Sequence, residues 1–161
     1  MSIDLGLRLP FHPSEIEALL YRELPASPAP FFDEEFDGVL FRFTGSVADG
    51  YASSKDHGYD LTHVLGGPLS LPFLVYFGNV APLSEMIPRV LHVTAEVLNA
   101  RPEDLLLEKN GSPILIRHAG SVTLTNSDTW TPAYFDALGM TGPKKPLWPG
   151  DPGWEPSESN S

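Results

Sequence analysis

The alternation of apolar and polar residues predicts the elements of the N-terminal region. Residues 3–9, "IDLGLRL", place an apolar side chain at every second position, which is typical of a half-buried strand. Residues 13–24 instead repeat apolar positions near the 3.6-residue period of a helix, which Pro13 or Ser14 can open. A series of prolines starting at Pro25 should end this helix, because proline lacks the N–H that a helix interior requires.

Two further strands are predicted in the middle of the chain. The first is "GVLFRFTG", residues 38–45, and the second is "LPFLVYFG", residues 71–78. The second has apolar residues on both faces, so we expect a central strand that a helix covers on one side. Residues 45–70 show no clear period and are predicted to form a long, partly ordered excursion.

The principal helix is predicted between residues 81 and 104, with Pro102 marking its exit. We expect it to begin near Ser84 or Glu85, so that Pro88 lies in its first turn. One side of this helix carries the stripe Met86, Val90, Val93 or Thr94, and Val97, which Ile87, Leu91 and Leu98 widen.

A β-hairpin is predicted around Asn110-Gly111, since this dipeptide tolerates the positive φ angles of a type I′ turn. Pro113 indicates an unpaired or edge-facing backbone position in the second strand. The following run, "HAGSVTLTN", predicts a third strand. Within the hairpin, Arg117 is expected to pair with Glu108.

The elements together predict an α+β fold, with a mainly antiparallel sheet and helices packed on one face, as a single pair of layers. A short helix should follow Thr131 and Pro132 and end at Gly139. We expect a single domain over residues 1–140 and a Pro/Gly-rich C-terminal tail over residues 141–161.

Charge and composition narrow the possible partners. The 161 residues include 21 Asp and Glu against 10 Lys and Arg, a formal net charge of −11, and no cysteine. Nucleic-acid binding is therefore not expected, and disulfides and thiolate metal sites are excluded. The acidity either keeps the protein soluble or complements a basic protein partner. No signal peptide or membrane-spanning run is recognisable, so we expect a cytoplasmic protein without membrane insertion.

Few residues suggest catalysis. His57, Asp60 and His63 include metal-ligand types, but their spacing matches no established zinc pattern. His92 lies near the apolar stripe of the principal helix and is interpreted as a core or interface residue rather than a base. Without a nucleophile elbow, a phosphate-binding loop or a dinucleotide fingerprint, we expect no enzyme activity, no metal and no cofactor.

Candidate contact residues are acidic and aromatic. The loop "FFDEEFD" is either solvated or the contact surface for a basic partner. Its candidate partner-binding residues are Asp33, Glu34, Glu35 and Asp37, with Phe31 and Phe32 as apolar anchors. Trp148 and Trp154 either contact a partner or hold the C-terminal segment on the protein's own surface, whereas Trp130 is expected to pack as an anchor.

Part of the chain resembles a known family. A strand "FLVYFGN" is followed by a long helix, by "ARPEDLLLEKNG" with Asn110-Gly111, by "PILIRHAG" ending its apolar run at Arg117, and by "SVTLTN" and "WTP". This arrangement, over about residues 71–138, resembles the Sit-type immunity proteins of myxobacterial kin discrimination. The resemblance implies a protein that binds and neutralises one cognate toxin in bacterial competition, without catalysis.

Two other functions remain open from the sequence. A chaperone or adaptor for a secreted effector would also be small and acidic, but would bind an unfolded or amphipathic segment. A small metal-dependent hydrolase would use His57, Asp60 and His63. For the immunity function, a toxin that acts on an anionic target should have a basic surface. An acidic immunity protein would then imitate the charge of that target.

Overall fold

The fold was analysed in a computed structural model of the chain. Its description covers residues 4–30, 38–54, 70–126, 135–136, 139–140 and 142–147. No helix in these ranges is long and apolar enough to cross a membrane.

The described residues form nine strands, one 3₁₀ turn and two helices. The strands are β1 (Leu5–Leu9), β2 (Ala26–Ala29), β3 (Val39–Gly45), β4 (Ala48–Ser53), β5 (Phe73–Asn79), β6 (Leu105–Lys109), β7 (Ser112–His118), β8 (Ser121–Thr125) and β9 (Lys144–Lys145). The 3₁₀ turn Pro13–Ile16 leads into α1 (Glu17–Glu23), and the long helix is α2 (Leu83–Ala100).

All nine strands belong to one sheet, in the order β2-β3-β4-β5-β1-β6-β7-β8-β9. Neighbouring strands are antiparallel except β8 and β9, which are parallel. The predicted α+β class with a mainly antiparallel sheet is therefore confirmed. The expectation that β1 is half-buried is wrong, because β1 lies in the middle of the sheet and all five of its residues are buried.

The hydrophobic core lies between the sheet and the helices. Leu5, Leu7 and Leu9 of β1 belong to the same buried cluster as Leu20 of α1 and the predicted stripe of α2. The stripe is thus confirmed as the buried side of α2. The predicted start of this helix is slightly wrong: α2 begins at Leu83, so Pro88 is its sixth residue and lies beyond the first turn.

Three strands were not predicted: β2, β4 and, in the predicted tail, β9. Strand β4 lies within the predicted excursion and pairs with both β3 and β5. Strand β2 follows directly after Pro25 and contains Pro28. Because β2 is an edge strand with β3 as its neighbour on one side, a proline without an N–H donor can be accommodated there.

The predicted hairpin between β6 and β7 is confirmed. Asn110 and Gly111 have φ angles of 50° and 86°, the left-handed region that a type I′ turn requires. Pro113 lies opposite Glu108, where the strand register shifts, and beyond the residues of β7 that pair with β8. The proline is therefore placed where regular pairing is interrupted, as expected.

The C-terminal segment is described only in part. Of the short helix predicted from Thr131 to Gly139, the described residues include Phe135 and Asp136, which are helical, and Gly139, whose φ of 68° suits the predicted helix end. All three tryptophans lie outside the described residues. Within residues 142–147, which belong to the predicted tail, Lys144–Lys145 forms β9 and Leu147 is buried. These residues therefore pack against the sheet at its β8 edge.

Candidate functional site

The acidic loop predicted to bind a partner lies outside the described residues, including Phe31, Phe32, Asp33, Glu34, Glu35 and Asp37. Both of its flanks are described. The carbonyl of Pro30 accepts a hydrogen bond from Arg42 Nη1 at 3.3 Å, and the carbonyl of Gly38 accepts one from the Ser54 N–H at 2.9 Å. The two residues that flank the loop, Pro30 and Gly38, are therefore held beside β3 and β4. His57, Asp60 and His63 also lie outside the described residues.

A row of paired residues crosses the sheet on the face opposite the core. Arg42 pairs with Tyr51, Tyr51 with Tyr76, Tyr76 with Gly6, and Gly6 with Glu108. Directly paired residues of neighbouring strands project from the same face of a sheet. The anchor of the acidic loop, Arg42, therefore shares this face with two tyrosines.

The two tyrosines form a surface with two carboxylates, which we name the acidic–tyrosine patch: Asp4, Asp49, Tyr51 and Tyr76. The rings of Tyr51 and Tyr76 stack with their centroids 5.1 Å apart and their planes 22° from parallel. Tyr76 donates a hydrogen bond from its hydroxyl to Asp4 Oδ1 at 2.8 Å. Both carboxylates are exposed and both tyrosines are partly exposed, so the patch is accessible to a partner.

The pKa of Tyr76 indicates what this patch can do. Burial, followed by the hydrogen bond to Asp4 and by the negative charge around the ring, raises the pKa of Tyr76 to about 12. The hydroxyl therefore stays protonated at neutral pH and continues to donate to Asp4. At neutral pH Tyr76 is therefore a hydrogen-bond donor, and it would not act as a general base there.

The turn between β6 and β7 positions Asp4. The Asp4 N–H donates to Asn110 Oδ1 at 2.9 Å, and the Asn110 N–H donates to the Asp4 carbonyl at 2.8 Å. Gly78 leaves space beside the patch, since a Cβ there would lie 3.2 Å from Asp49 Oδ1. The Asn-Gly turn therefore fixes the position of Asp4 in the patch as well as the hairpin register.

A buried ion pair lies next to the patch on the same face. Arg8 Nε is 3.0 Å from Glu108 Oε2, and Arg8 Nη2 donates to Glu108 Oε1 at 3.3 Å. Gly6 makes room for it, because a Cβ at this position would lie only 2.7 Å from Glu108 Oε1. The predicted pairing of Glu108 with Arg117 is therefore wrong, because among the described residues Glu108 pairs with Arg8.

Arg117 instead binds the end of α2. Its guanidinium donates to the carbonyl of Leu98 at 2.8 Å, to that of Glu103 at 2.7 Å, and to that of Arg101. The last carbonyls of a helix have no partner within the helix, and a cation favours this negative end of the helix dipole. Burial lowers the pKa of Arg117, although it remains charged at neutral pH.

A second polar cluster lies on the helix layer, which we name the helix cluster: Arg22, Glu23, His92 and Glu96. His92 Nε2 is 3.2 Å from Glu96 Oε1 and 3.5 Å from Glu23 Oε2. His92 is interpreted from the sequence as a core or interface residue; the core alternative is wrong, because the side chain is 45% exposed. A groove of about 380 Å³ between α1 and α2 is lined partly by Arg22 and Glu96.

The sequence did not indicate the acidic–tyrosine patch. Asp49 and Tyr51 belong to β4, "ADGYAS", in which Asp49, Gly50 and Tyr51 are exposed or partly exposed and Ala48 and Ala52 are buried. A run with so few large apolar residues gives little signal for a strand. Asp4 and Tyr76 are 72 positions apart, so no local pattern could have brought them together.

The described residues thus define an α+β protein that presents an acidic, aromatic surface on the sheet face opposite its helices. No protein-family model, curated protein or solved structure matches the chain at significant similarity.

Proposed function

We propose that this protein is an immunity-type protein that binds and neutralises a cognate toxin in the cytoplasm, without catalysis. The observation that carries the proposal is the acidic–tyrosine patch, which exposes Asp4 and Asp49 beside two stacked tyrosines in a chain of net charge −11. Among the described cations, Arg8 and Arg117 are buried in internal contacts, and Arg101 lies between Glu15 and Glu103.

The acidic–tyrosine patch supports a basic protein as the partner. Its carboxylates would steer a positively charged surface towards it, since opposite fields accelerate association. Its stacked tyrosines offer rigid, amphipathic rings of the type enriched at protein interfaces, and arginine side chains pack well on such rings. If the toxin acts on an anionic target, this surface would imitate that target.

The acidic loop at residues 31–37 would extend the same surface. Its anchor Arg42 pairs with Tyr51 on the face that carries the patch. We therefore propose that Asp33, Glu34, Glu35 and Asp37 add to the electrostatic attraction, and that Phe31 and Phe32 supply apolar contacts.

The proposal is tested by identifying a partner and measuring protection. Proteins captured by the purified chain are identified at low and at high salt, and the cell growth of a host that expresses the captured protein is measured with and without this chain. We expect a stoichiometric basic partner that binds more weakly in high salt, because salt screens exposed charges. We also expect co-expression to restore growth.

Variants then locate the surface. Asp4→Asn with Asp49→Asn should slow association, while the amide oxygen introduced at position 4 can still accept the hydrogen bond from Tyr76. The matched control is Glu85→Gln with Asp136→Asn, which removes the same charge from exposed positions outside the patch. Equal effects of the two double variants would refute the patch as the contact surface. A partner bound only when unfolded would favour the chaperone function instead.

A further inference from the structure

The helix cluster has the geometry of a metal-ligand set. His92 and Glu96 are four residues apart on α2, so both side chains project from the same face of the helix. Glu23, the last residue of α1, faces them from the neighbouring helix. One ligand atom from each of the three residues lies within 4.8 Å of the other two.

The individual distances match tetrahedral coordination. With metal–ligand bonds near 2.0–2.2 Å, neighbouring ligands of a tetrahedral zinc ion are about 3.3–3.6 Å apart. His92 Nε2 lies 3.2 Å from Glu96 Oε1 and 3.5 Å from Glu23 Oε2. These two ligand pairs therefore already lie near the separation that zinc requires. The third pair, Glu23 Oε2 and Glu96 Oε1, would reach this separation by a small rotation of one carboxylate.

Arg22 holds the outer oxygens of the same carboxylates. Its Nε is 3.2 Å from Glu23 Oε1, and its Nη2 is 2.8 Å from Glu96 Oε2. The inner oxygens, Oε2 of Glu23 and Oε1 of Glu96, are the ones directed at His92. Outer partners that orient ligating carboxylates in this way are a regular part of metal sites.

We propose that Glu23, His92 and Glu96 form a binding site for one divalent cation of the zinc class. An imidazole ligand favours zinc and related transition metals, whereas Mg²⁺ and Ca²⁺ prefer sites built from oxygen alone. The partly exposed position leaves the fourth coordination site to water. This site is independent of the proposed toxin binding and departs from the expectation of a metal-free protein.

Such a cation would cross-link the C-terminal end of α1 to the middle of α2. In the absence of the cation, the same side chains form an ion-pair network in which the two carboxylates outnumber the Arg22 guanidinium. Arg89 Nη1 also lies 3.2 Å from the Glu23 carbonyl, so zinc affinity should depend on the three ligand atoms rather than on an excess of negative charge. Binding should also stabilise the native chain, because the unfolded chain does not hold the three ligands together.

The test is a calorimetric titration of the full chain with ZnCl₂, repeated in millimolar MgCl₂. We expect saturation at one equivalent, little competition by magnesium, and a higher melting temperature with zinc. His92→Gln and Glu96→Gln should each weaken binding by roughly tenfold or more, since each removes a direct ligand. Circular dichroism of each variant establishes that it is folded.

Two controls make the result specific to this cluster. His118→Gln changes a histidine of comparable exposure that faces a single carboxylate, Asp104, and should leave zinc affinity unchanged. His57→Ala with His63→Ala should likewise retain one equivalent of bound zinc. Absence of binding, or binding that survives His92→Gln in a folded variant, would overturn the proposal.

Discussion

Arg117 offers the most direct test of how the sheet and the long helix are joined. Its guanidinium extends from β7 to three carbonyls: Leu98 in the last turn of α2, and Arg101 and Glu103 in the segment that follows. Replacing Arg117 with alanine removes all three donors at once. It also leaves these carbonyls facing a site from which the arginine side chain had excluded most of the solvent.

The expected loss follows from the number of hydrogen bonds. A buried polar group left without a partner costs about 1–3 kcal/mol, and water entering the vacated space will offset part of this cost. We expect Arg117→Ala to lower the free energy of unfolding by about 3 kcal/mol. Arg117→Lys keeps the charge but reaches fewer carbonyls, so its loss should be smaller, about 1.5 kcal/mol.

Urea unfolding followed by circular dichroism measures both values. A loss of about 3 kcal/mol corresponds to a melting temperature roughly 6–12 °C lower for a chain of this length. The matched control is Arg89→Ala, an exposed arginine of α2 that donates to one carbonyl, that of Glu23, at 3.2 Å. Its effect should stay within about 0.5 kcal/mol. Equal losses for Arg117→Ala and Arg89→Ala would show that the carbonyl contacts contribute little.

Two further predictions concern the face of the sheet opposite the core. Gly6→Ala should lower the free energy of unfolding by about 1–3 kcal/mol in urea titrations, because its Cβ would lie 2.7 Å from Glu108 Oε1. Gly6→Ala should lower the free energy of unfolding by a smaller amount when Glu108 is already replaced with alanine. An equal loss with and without Glu108→Ala would refute the steric explanation. The raised pKa of Tyr76 stabilises the fold below the ordinary tyrosine value of 10.0, and this stabilisation is lost as pH rises to about 12. In the Tyr76→Phe variant, the free energy of unfolding should therefore decline less steeply between pH 10.0 and about 12. A decline as steep as that of the unchanged protein would contradict the raised pKa of Tyr76. The slope should not vanish, since burial and Glu17 also raise the pKa of Tyr21.

The sequence predicted the elements whose signals are local. Asn110 and Gly111 determine the β6–β7 turn by their tolerance of positive φ, irrespective of the rest of the fold. The apolar stripe of α2 could likewise be read from spacing, because a helix keeps its period over 18 residues. Strand β4 was not predicted because Asp49 and Gly50 interrupt its apolar pattern. Its pairing with β3 on one side and β5 on the other stabilises it as a strand despite this weak local signal.

The partner of Arg117 could not be predicted for a different reason. The sequence placed Arg117 and Glu108 on neighbouring strands of one hairpin, which is correct. The register, however, places Arg117 opposite Leu105, at the far end of the hairpin from Glu108. Among the described residues Glu108 pairs with Arg8, 100 positions away, and the insertion of β1 beside β6 brings the two together.

The two proposed sites lie on opposite sides of the sheet, and this separation makes their tests independent. The helix cluster belongs to α1 and α2, which pack on the core face through residues such as Leu20 and Val90. The acidic–tyrosine patch lies on the other face, where Tyr51 and Tyr76 pair across β4 and β5. Substitution of His92 should therefore leave partner affinity unchanged, and neutralisation of the patch should leave zinc affinity unchanged. If either substitution affects both, the coupling must pass through the buried strands, because no residue belongs to both clusters.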